Sequence, residues 1–240
     1  MKNNKYDYVL FTFIISLVLI TTIVGRGLLM MYRSNLTYVN MNVTVNNPTV
    51  IIDAGHGGED CGAIGIDGTL EKDLNLILSR EISDILSSQN INVVMTRTED
   101  KLLYKEDENI KGQRKIYDLK NRYLIASEYE NSIFVSIHMN KYPKEIYNGL
   151  VVYYSQNNER SKALALSIQN NIKEHLQKSN NRQIKNAKTD IYLLDRITSP
   201  AILIECGFLS NNEDCKNMQN QEYRKKMALI ISNSILENIY

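Results

Sequence analysis

Hydrophobic positions fall into two regimes along this chain. Tyr8–Val24 (YVLFTFIISLVLITTIV) is an uninterrupted apolar run without a charge, preceded by Lys2 and Lys5 and closed by Gly25-Arg26. As a helix the run would be about 26 Å long, near the roughly 27–30 Å of a bilayer core. Residues 1–33 therefore read as a membrane segment, either a cleaved signal peptide or an uncleaved anchor. Signal peptidase favours small residues spaced like A-x-A. Gly25-Arg26-Gly27 is a poor version of that, so the anchor is preferred. Either reading places the rest of the chain outside the cytoplasm. Residues 34–47 (SNLTYVNMNVTVNN) are polar, Asn-rich and without a clear helical period, which predicts a stalk.

From Pro48 to Tyr240 short apolar runs alternate with helical periods, which predicts one domain over 48–240. Thr49–Asp53, Ile91–Thr96, Ile133–Ile137, Leu150–Tyr154 and Ala201–Glu205 read as strands, being short, apolar and rich in β-branched residues. Between them, Leu70, Leu74, Ile77, Leu78, Ile82, Ile85 and Leu86 recur at mostly helical spacing, with Thr69 placed to cap. Further helices are expected over 114–130, 159–177 and the C-terminal stretch around Met227–Ile235. Residues 97–113 are dense in charge and read as a solvated loop. Strands this apolar, separated by helices, imply an α/β domain with a mostly parallel sheet covered on both faces.

Composition narrows the functions. Lys2, Lys5 and Asp7 are the charges before residue 26, so the remainder holds 26 basic and 26 acidic residues. A neutral body gives no support to nucleic-acid binding, and none to general attraction toward anionic polymer. Three cysteines (Cys61, Cys206, Cys215) are too few for a disulfide scaffold, and no C-x-x-C spacing supports a thiolate zinc site. Only three histidines exist, so a histidine-based site must use most of them.

Ligands in open parallel sheets gather beyond the carboxyl ends of the strands. TVIID leads into Ala54-Gly55-His56-Gly57-Gly58, IFVSI into His138-Met139-Asn140, and AILI into Glu205-Cys206-Gly207, while Glu71 opens the helix after the first strand. His56, Glu71 and His138 would make an open zinc site, with two imidazoles, one carboxylate and a fourth position free. Glu205 would then move a proton from water to a leaving nitrogen. Plainer readings remain at this point. A strand-end histidine is often just a polar surface group, a first-turn glutamate is favoured by the helix dipole alone, and Glu205 would also suit an arginine partner. His175 reads as structural and Cys206 as a small buried residue.

Four motifs in order carry a resemblance: VIIDAGHGGEDCGAIG…LEKDLNL, VMTRTED, FVSIHMN and PAILIECGFLSN. Together, over about Thr49–Tyr240, they resemble the zinc-dependent N-acetylmuramoyl-L-alanine amidases of the amidase-3 type. The resemblance implies a sheet of about six strands, one Zn²⁺ held by His56, Glu71 and His138, and Glu205 as the catalytic base. It implies a peptidoglycan substrate, cut at the amide between the lactyl group of muramic acid and L-alanine. Asn140 is carried along as a substrate contact. Ala54, Met139 and Ser127 stand where the family usually has Pro, Ala and Asn, none of them a ligand. The segment KGQRKIYDLKNR (111–122) resembles the branch that matures spore cortex on the way to muramic-δ-lactam and acts in germination, which would place the enzyme in the forespore or cortex compartment. A single membrane segment leading to the enzyme, without added wall-binding repeats, fits that branch. A vegetative autolysin of the same family, or a non-catalytic relative that binds wall or activates another hydrolase, are the alternatives. An accessory protein fits the reading without being identified by the sequence.

Overall fold

The computed structural model of the protein describes residues 4–39 and 48–239. The first part is a single helix, α1 (Asn4–Val39). Its stretch Val9–Met30 is long and apolar enough to cross a membrane, by length and composition. The helix continues through Val39, six residues into the segment expected as a stalk, where the sequence shows no clear helical period. Residues 40–47 of the expected stalk lie outside the described residues. Chain contacts separate Met1–Asn46 from Asn47–Tyr240.

In the second part six strands form one sheet: β1 (Thr49–Ala54), β2 (Val93–Met95), β3 (Ser132–Asn140), β4 (Val151–Tyr154), β5 (Lys185–Asn186) and β6 (Ala201–Phe208). Their order is β2-β1-β3-β6-β4-β5. β1 pairs in parallel with β2 and β3, and β3 with β6, whereas β4 lies antiparallel to β6 and carries β5 along in parallel. The helices are α2 (Glu71–Ser88), α3 (Arg114–Ser127), α4 (Glu159–His175), α5 (Tyr192–Arg196), α6 (Asn212–Gln219) and α7 (Gln221–Glu237).

Strand alternation decides which helix covers which face. Val50, Ile52, Ile133, Val135, Ile137, Ile202 and Ile204 point to one face, where Leu78, Ile82, Ile168, Ile172, Ile231 and Ile235 from α2, α4 and α7 pack on them. Ile51, Phe134, Ala201 and Leu203 point to the other, beneath Ala126 of α3 and Leu193 and Leu194 of α5. The sheet is thus covered on both faces, as its apolar strands require.

Several local expectations need correcting. Thr69 does not cap α2: the helix begins one residue later, with Leu70 as its cap residue and no side-chain bond there. Instead the Asp67 carboxylate accepts from the Thr69 amide in the preceding turn. β3 and β6 run three residues past Ile137 and Glu205, because their backbones stay paired through His138↔Glu205 to Asn140↔Phe208, with a bulge between. The loop expected at 97–113 contains a short 3₁₀ turn at Glu106–Glu108, and its first residue, Arg97, is buried.

Candidate metal centre at the ends of the parallel strands

His56, Glu71 and His138 converge at the carboxyl ends of β1 and β3, beside the first turn of α2. Each offers a ligand atom, and the three atoms all lie within 4.8 Å of one another. Glu71 Oε1 is the hub, 3.2 Å from His56 Nε2 and 2.9 Å from His138 Nδ1. Glu71 is only 3% exposed. Its Oε1 also accepts from the Met139 amide, and its Oε2 accepts from the Ala63 amide at 2.7 Å. Asn75, one turn along α2, donates to Oε1 and to the Gly55 carbonyl. The carboxylate is therefore fixed in place by its own helix, by the loop at Ala63 and by the backbone of β3.

The backbone around the cluster is unusual where close approach demands it. His56 itself has φ +63°, a left-handed conformation that only glycine adopts freely. A Cβ on Gly55 would sit 2.3 Å from two ring atoms of His138, and one on Gly62 (φ +66°) would sit 2.5 Å from Glu71 Oε2. Glycine at both positions is what allows the ring and the carboxylate into the site.

Two buried arginines hold the loop in this shape. Arg122 of α3 donates to the carbonyls of Ala54 and His56, both at 2.7 Å. Arg97, after β2, donates to Ala54 at 2.8 Å and Gly55 at 3.0 Å. Arg122 is in turn neutralised by Asp53 Oδ1 at 2.6 Å and Asp118 Oδ2 at 2.8 Å. Ser136 and Thr96 hydroxyls donate to the same Asp53 carboxylate. Burial pushes the Asp53 carboxyl up, but Arg122 and these hydroxyls outweigh it and hold it below the usual aspartate range.

Asp60 accepts from, or shares a proton with, His56 Nδ1 at 2.9 Å, on the ring edge opposite Glu71. Lys115 pairs with the same Asp60 oxygen at 3.1 Å. Burial would pull the His56 imidazole down, but the Asp60 and Glu71 carboxylates raise it to about 9. His56 thus has its orienting partner on one nitrogen and the cluster on the other, an arrangement typical of metal-binding histidines.

Glu205 sits on β6 directly opposite His138 of β3. Among the described residues it pairs with no arginine, and its buried Oε2 meets no hydrogen-bond partner. Burial pushes its carboxyl up to about 7, against the pull of His138 and with the help of Glu71. A buried carboxyl poised near neutrality beside a cluster able to hold a cation is suited to moving a proton. A cavity of about 270 Å³ opens alongside, lined by Gly55, His56, Asp60, His138 and, from α5, Tyr192 and Leu193.

The four residues expected from strand ends and helix start are brought together. Asn140 ends β3 and faces a neighbouring cleft. His175 lies exposed at the end of α4. Cys206 is fully buried, with its thiol pushed up by burial, and all three cysteines are free. Asp60, Asp53, Arg97 and Arg122 were not anticipated. A signal for Arg122 was present, since it continues the inward stripe of α3 through Leu119 and Ala126.

The family model for N-acetylmuramoyl-L-alanine amidase matches residues 50–237. The chain belongs to this family. The amidase is 31% identical over 205 residues to the germination-specific N-acetylmuramoyl-L-alanine amidase of Bacillus subtilis, covering 85% of each chain. Its fold matches the CwlD amidase of Clostridioides difficile, solved in complex with the GerS lipoprotein, at TM-score 0.76 and 40% identity, over 80% of this chain and 98% of that one. It also matches the amidase AmiC2 of Nostoc punctiforme at TM-score 0.68 and 32% identity, over 79% and 96%. The amidase therefore hydrolyses the amide that joins muramic acid to L-alanine in peptidoglycan, and the parallel sheet seen here is the fold its relatives share.

Proposed function

We propose that this amidase is a zinc enzyme of the spore cortex, anchored to the membrane by α1, with His56, Glu71 and His138 as its metal ligands and Glu205 as its proton carrier. The observation that carries the reading is the convergence of the three ligand atoms opposite an unpartnered, buried glutamate. Donors around a tetrahedral zinc at about 2.0–2.2 Å stand about 3.3–3.6 Å apart. Glu71 Oε1 lies 3.2 and 2.9 Å from the two histidine nitrogens, so a slight opening admits the ion. Two imidazoles and a carboxylate, with one position left open, are a usual catalytic set for zinc.

When bound, zinc supplies Lewis acidity toward water and toward the amide carbonyl. The chain supplies the rest. Glu71 and Asp60 fix the two imidazole edges, so the ligands need little rearrangement. The Glu205 carboxylate takes a proton from the attacking water and returns it to the nitrogen of L-alanine as the C–N bond breaks. A carboxyl near 7 exists in both forms at neutral pH, which the two halves of that transfer require. Asn140, two residues beyond His138 on the same strand, contacts the substrate beside the reacting amide.

The cortex assignment rests on the match to the germination-specific relative across most of both chains and on the segment 111–122. There, removal of stem peptide opens the way to muramic-δ-lactam. The lipoprotein bound to the relative from Clostridioides difficile supports an accessory partner for this enzyme. An extracytoplasmic site of action in the forespore compartment follows from the same reading. The deciding experiment is mass spectrometry of cortex peptidoglycan digested by the full chain. Release of intact stem peptides beginning at L-alanine is expected. Cuts within the peptide would overturn the amidase reading, and a substrate preference for vegetative wall would overturn the cortex assignment.

Two predictions concern the metal. His56→Ala and His138→Ala are each expected to lose the bound zinc, measured by metal analysis of purified protein. Full zinc in both variants would overturn the ligand set. Asp60→Asn is expected to weaken zinc affinity by about 10–100-fold, the usual effect of removing the group that orients a ligating histidine. Competition with a chelating dye reads this directly, and unchanged affinity would mean that Asp60 serves only Lys115.

A further inference from the structure

A second cleft, of about 310 Å³, lies next to the cluster, on the side of β4 and β5. Strand positions tie it to the catalytic row of the sheet. Asn140, which lines it, follows His138 by two residues on β3, and Tyr153 sits opposite Leu203, two residues before Glu205 on β6. Lys185 pairs with Tyr153 across the β4–β5 edge.

The cleft holds two cations and no carboxylate among its lining residues. Arg182 lies over Phe208, with its guanidinium carbon 4.5 Å from the ring centroid, and 5.7 Å from the Tyr147 ring. Its Nε donates to the Asn148 carbonyl at 2.6 Å. Stacking and that bond fix the plane of the guanidinium, while its two terminal nitrogens bond no described residue. Lys185 lies 5.4 Å from the centroid of the Tyr153 ring and only 3.5 Å from its hydroxyl. Neither cation makes an ion pair among the described residues. A guanidinium held rigid by aromatic rings, with a free two-nitrogen edge and an ammonium nearby, is suited to a carboxylate.

We infer that the Arg182–Lys185 cleft is a specificity subsite that binds a carboxylate of the stem peptide, on the leaving side of the scissile amide. The inference rests on the amidase reading. Chemistry chooses between the two sides of the bond: the glycan side presents hydroxyl and acetamido groups, which are neutral, whereas the peptide side carries carboxylates. The balance of 26 basic and 26 acidic residues beyond residue 25 makes this local pair matter more, because no general basic field draws the substrate in.

The test uses the full chain in detergent and two soluble substrates. Both are N-acetylmuramoyl peptides, one with free peptide carboxylates and one with every carboxylate converted to amide. Wild type is expected to prefer the free acid by at least tenfold in kcat/KM. Lys185→Gln, an exposed position that no core contact depends on, should lower kcat/KM for the free acid by about tenfold, mainly through KM, consistent with losing a hydrogen bond to a charged group. Arg182→Gln should lower it by about 10–100-fold, and Arg182→Lys should recover part of the loss because charge returns without the planar edge. In each Gln variant the ratio between the two substrates should shrink toward one. Equal cleavage of the two substrates by wild type, or variants that slow both alike, overturns the subsite while leaving the amidase intact. Cleavage of neither by wild type overturns the amidase reading and the subsite with it.

Discussion

Glu205→Gln is expected to lower turnover by about 10²–10⁴-fold while leaving the metal content of the protein unchanged. The size follows from the task. Glutamine keeps the shape and one acceptor oxygen, so packing on β6 and the pairing with His138 persist. It cannot take a proton from water at neutral pH. Glu205 contributes no ligand atom to the three-residue cluster, so zinc should stay. Removing its charge also lifts the cost of a buried carboxylate whose Oε2 finds no partner, so the variant should be as stable as wild type or slightly more so. Rates on a defined muramoyl peptide, metal analysis and a melting curve on the same preparation separate these outcomes. Turnover within threefold of wild type would remove Glu205 from the chemistry. Loss of zinc would make it a structural partner of the cluster instead.

Arg122→Ala should be the most destabilising substitution near the site, by about 3–5 kcal/mol. Arg122 is 1% exposed and holds two carboxylates, Asp53 and Asp118, and two carbonyls of the His56 loop. Alanine leaves the Asp53 charge buried at the end of a central strand, with hydroxyl donors alone. For a domain of this size that corresponds to a melting point lower by roughly 10 °C. A second effect follows: without its carbonyls anchored, the loop no longer holds His56 at its left-handed φ, and zinc affinity should fall as well. The double variant Asp53→Asn with Arg122→Met removes one of the two orphaned charges, leaving Asp118, and should recover part of the stability but not the zinc affinity. Recovery of both would mean that the loop needs no clasp. The pH dependence has a definite sign. Because the folded-state Asp53 carboxyl is held below its ordinary range, its contribution is fully present above that range and is lost as the pH falls through the folded value. A shallow acid limb in wild type, absent from the double variant, checks this.

What could be read in advance followed from periodicity and from where polar residues interrupt it. Five strands and the main helices stand out because their apolar positions recur at two-residue or three-to-four-residue spacing. β5 was invisible: Lys185–Asn186 is two residues long, exposed and polar, and it exists only because β4 offers an edge. α5 and α6 are one and two turns, too short for a helical period to declare itself. The candidate ligands were legible because each ends or opens a strongly patterned element. The clasp beneath them was not. Arg97 looked like one charge among many in a loop, and Asp60 like one acidic residue after a glycine run. Asp60 reaches His56 only four residues back, but the arginines' roles depend on contacts 42 and 43 residues apart for Arg97, and 66 to 69 for Arg122. Local spacing holds no record of such distances.

Those same separations set the order in which the catalytic site can come into being during synthesis. His56 leaves the ribosome well before Arg97, and Arg97 before Arg122 and His138. Until α3 and β3 have joined β1, the glycine-rich loop has only Arg97 on its Ala54 and Gly55 carbonyls and lacks the Arg122 bond to His56, and Glu71 lacks its second imidazole. A partly made or partly folded chain therefore presents these side chains apart and not as a cluster. On the zinc reading, acquisition of the ion would belong to a late stage of folding, after β3 has brought His138 beside Glu71.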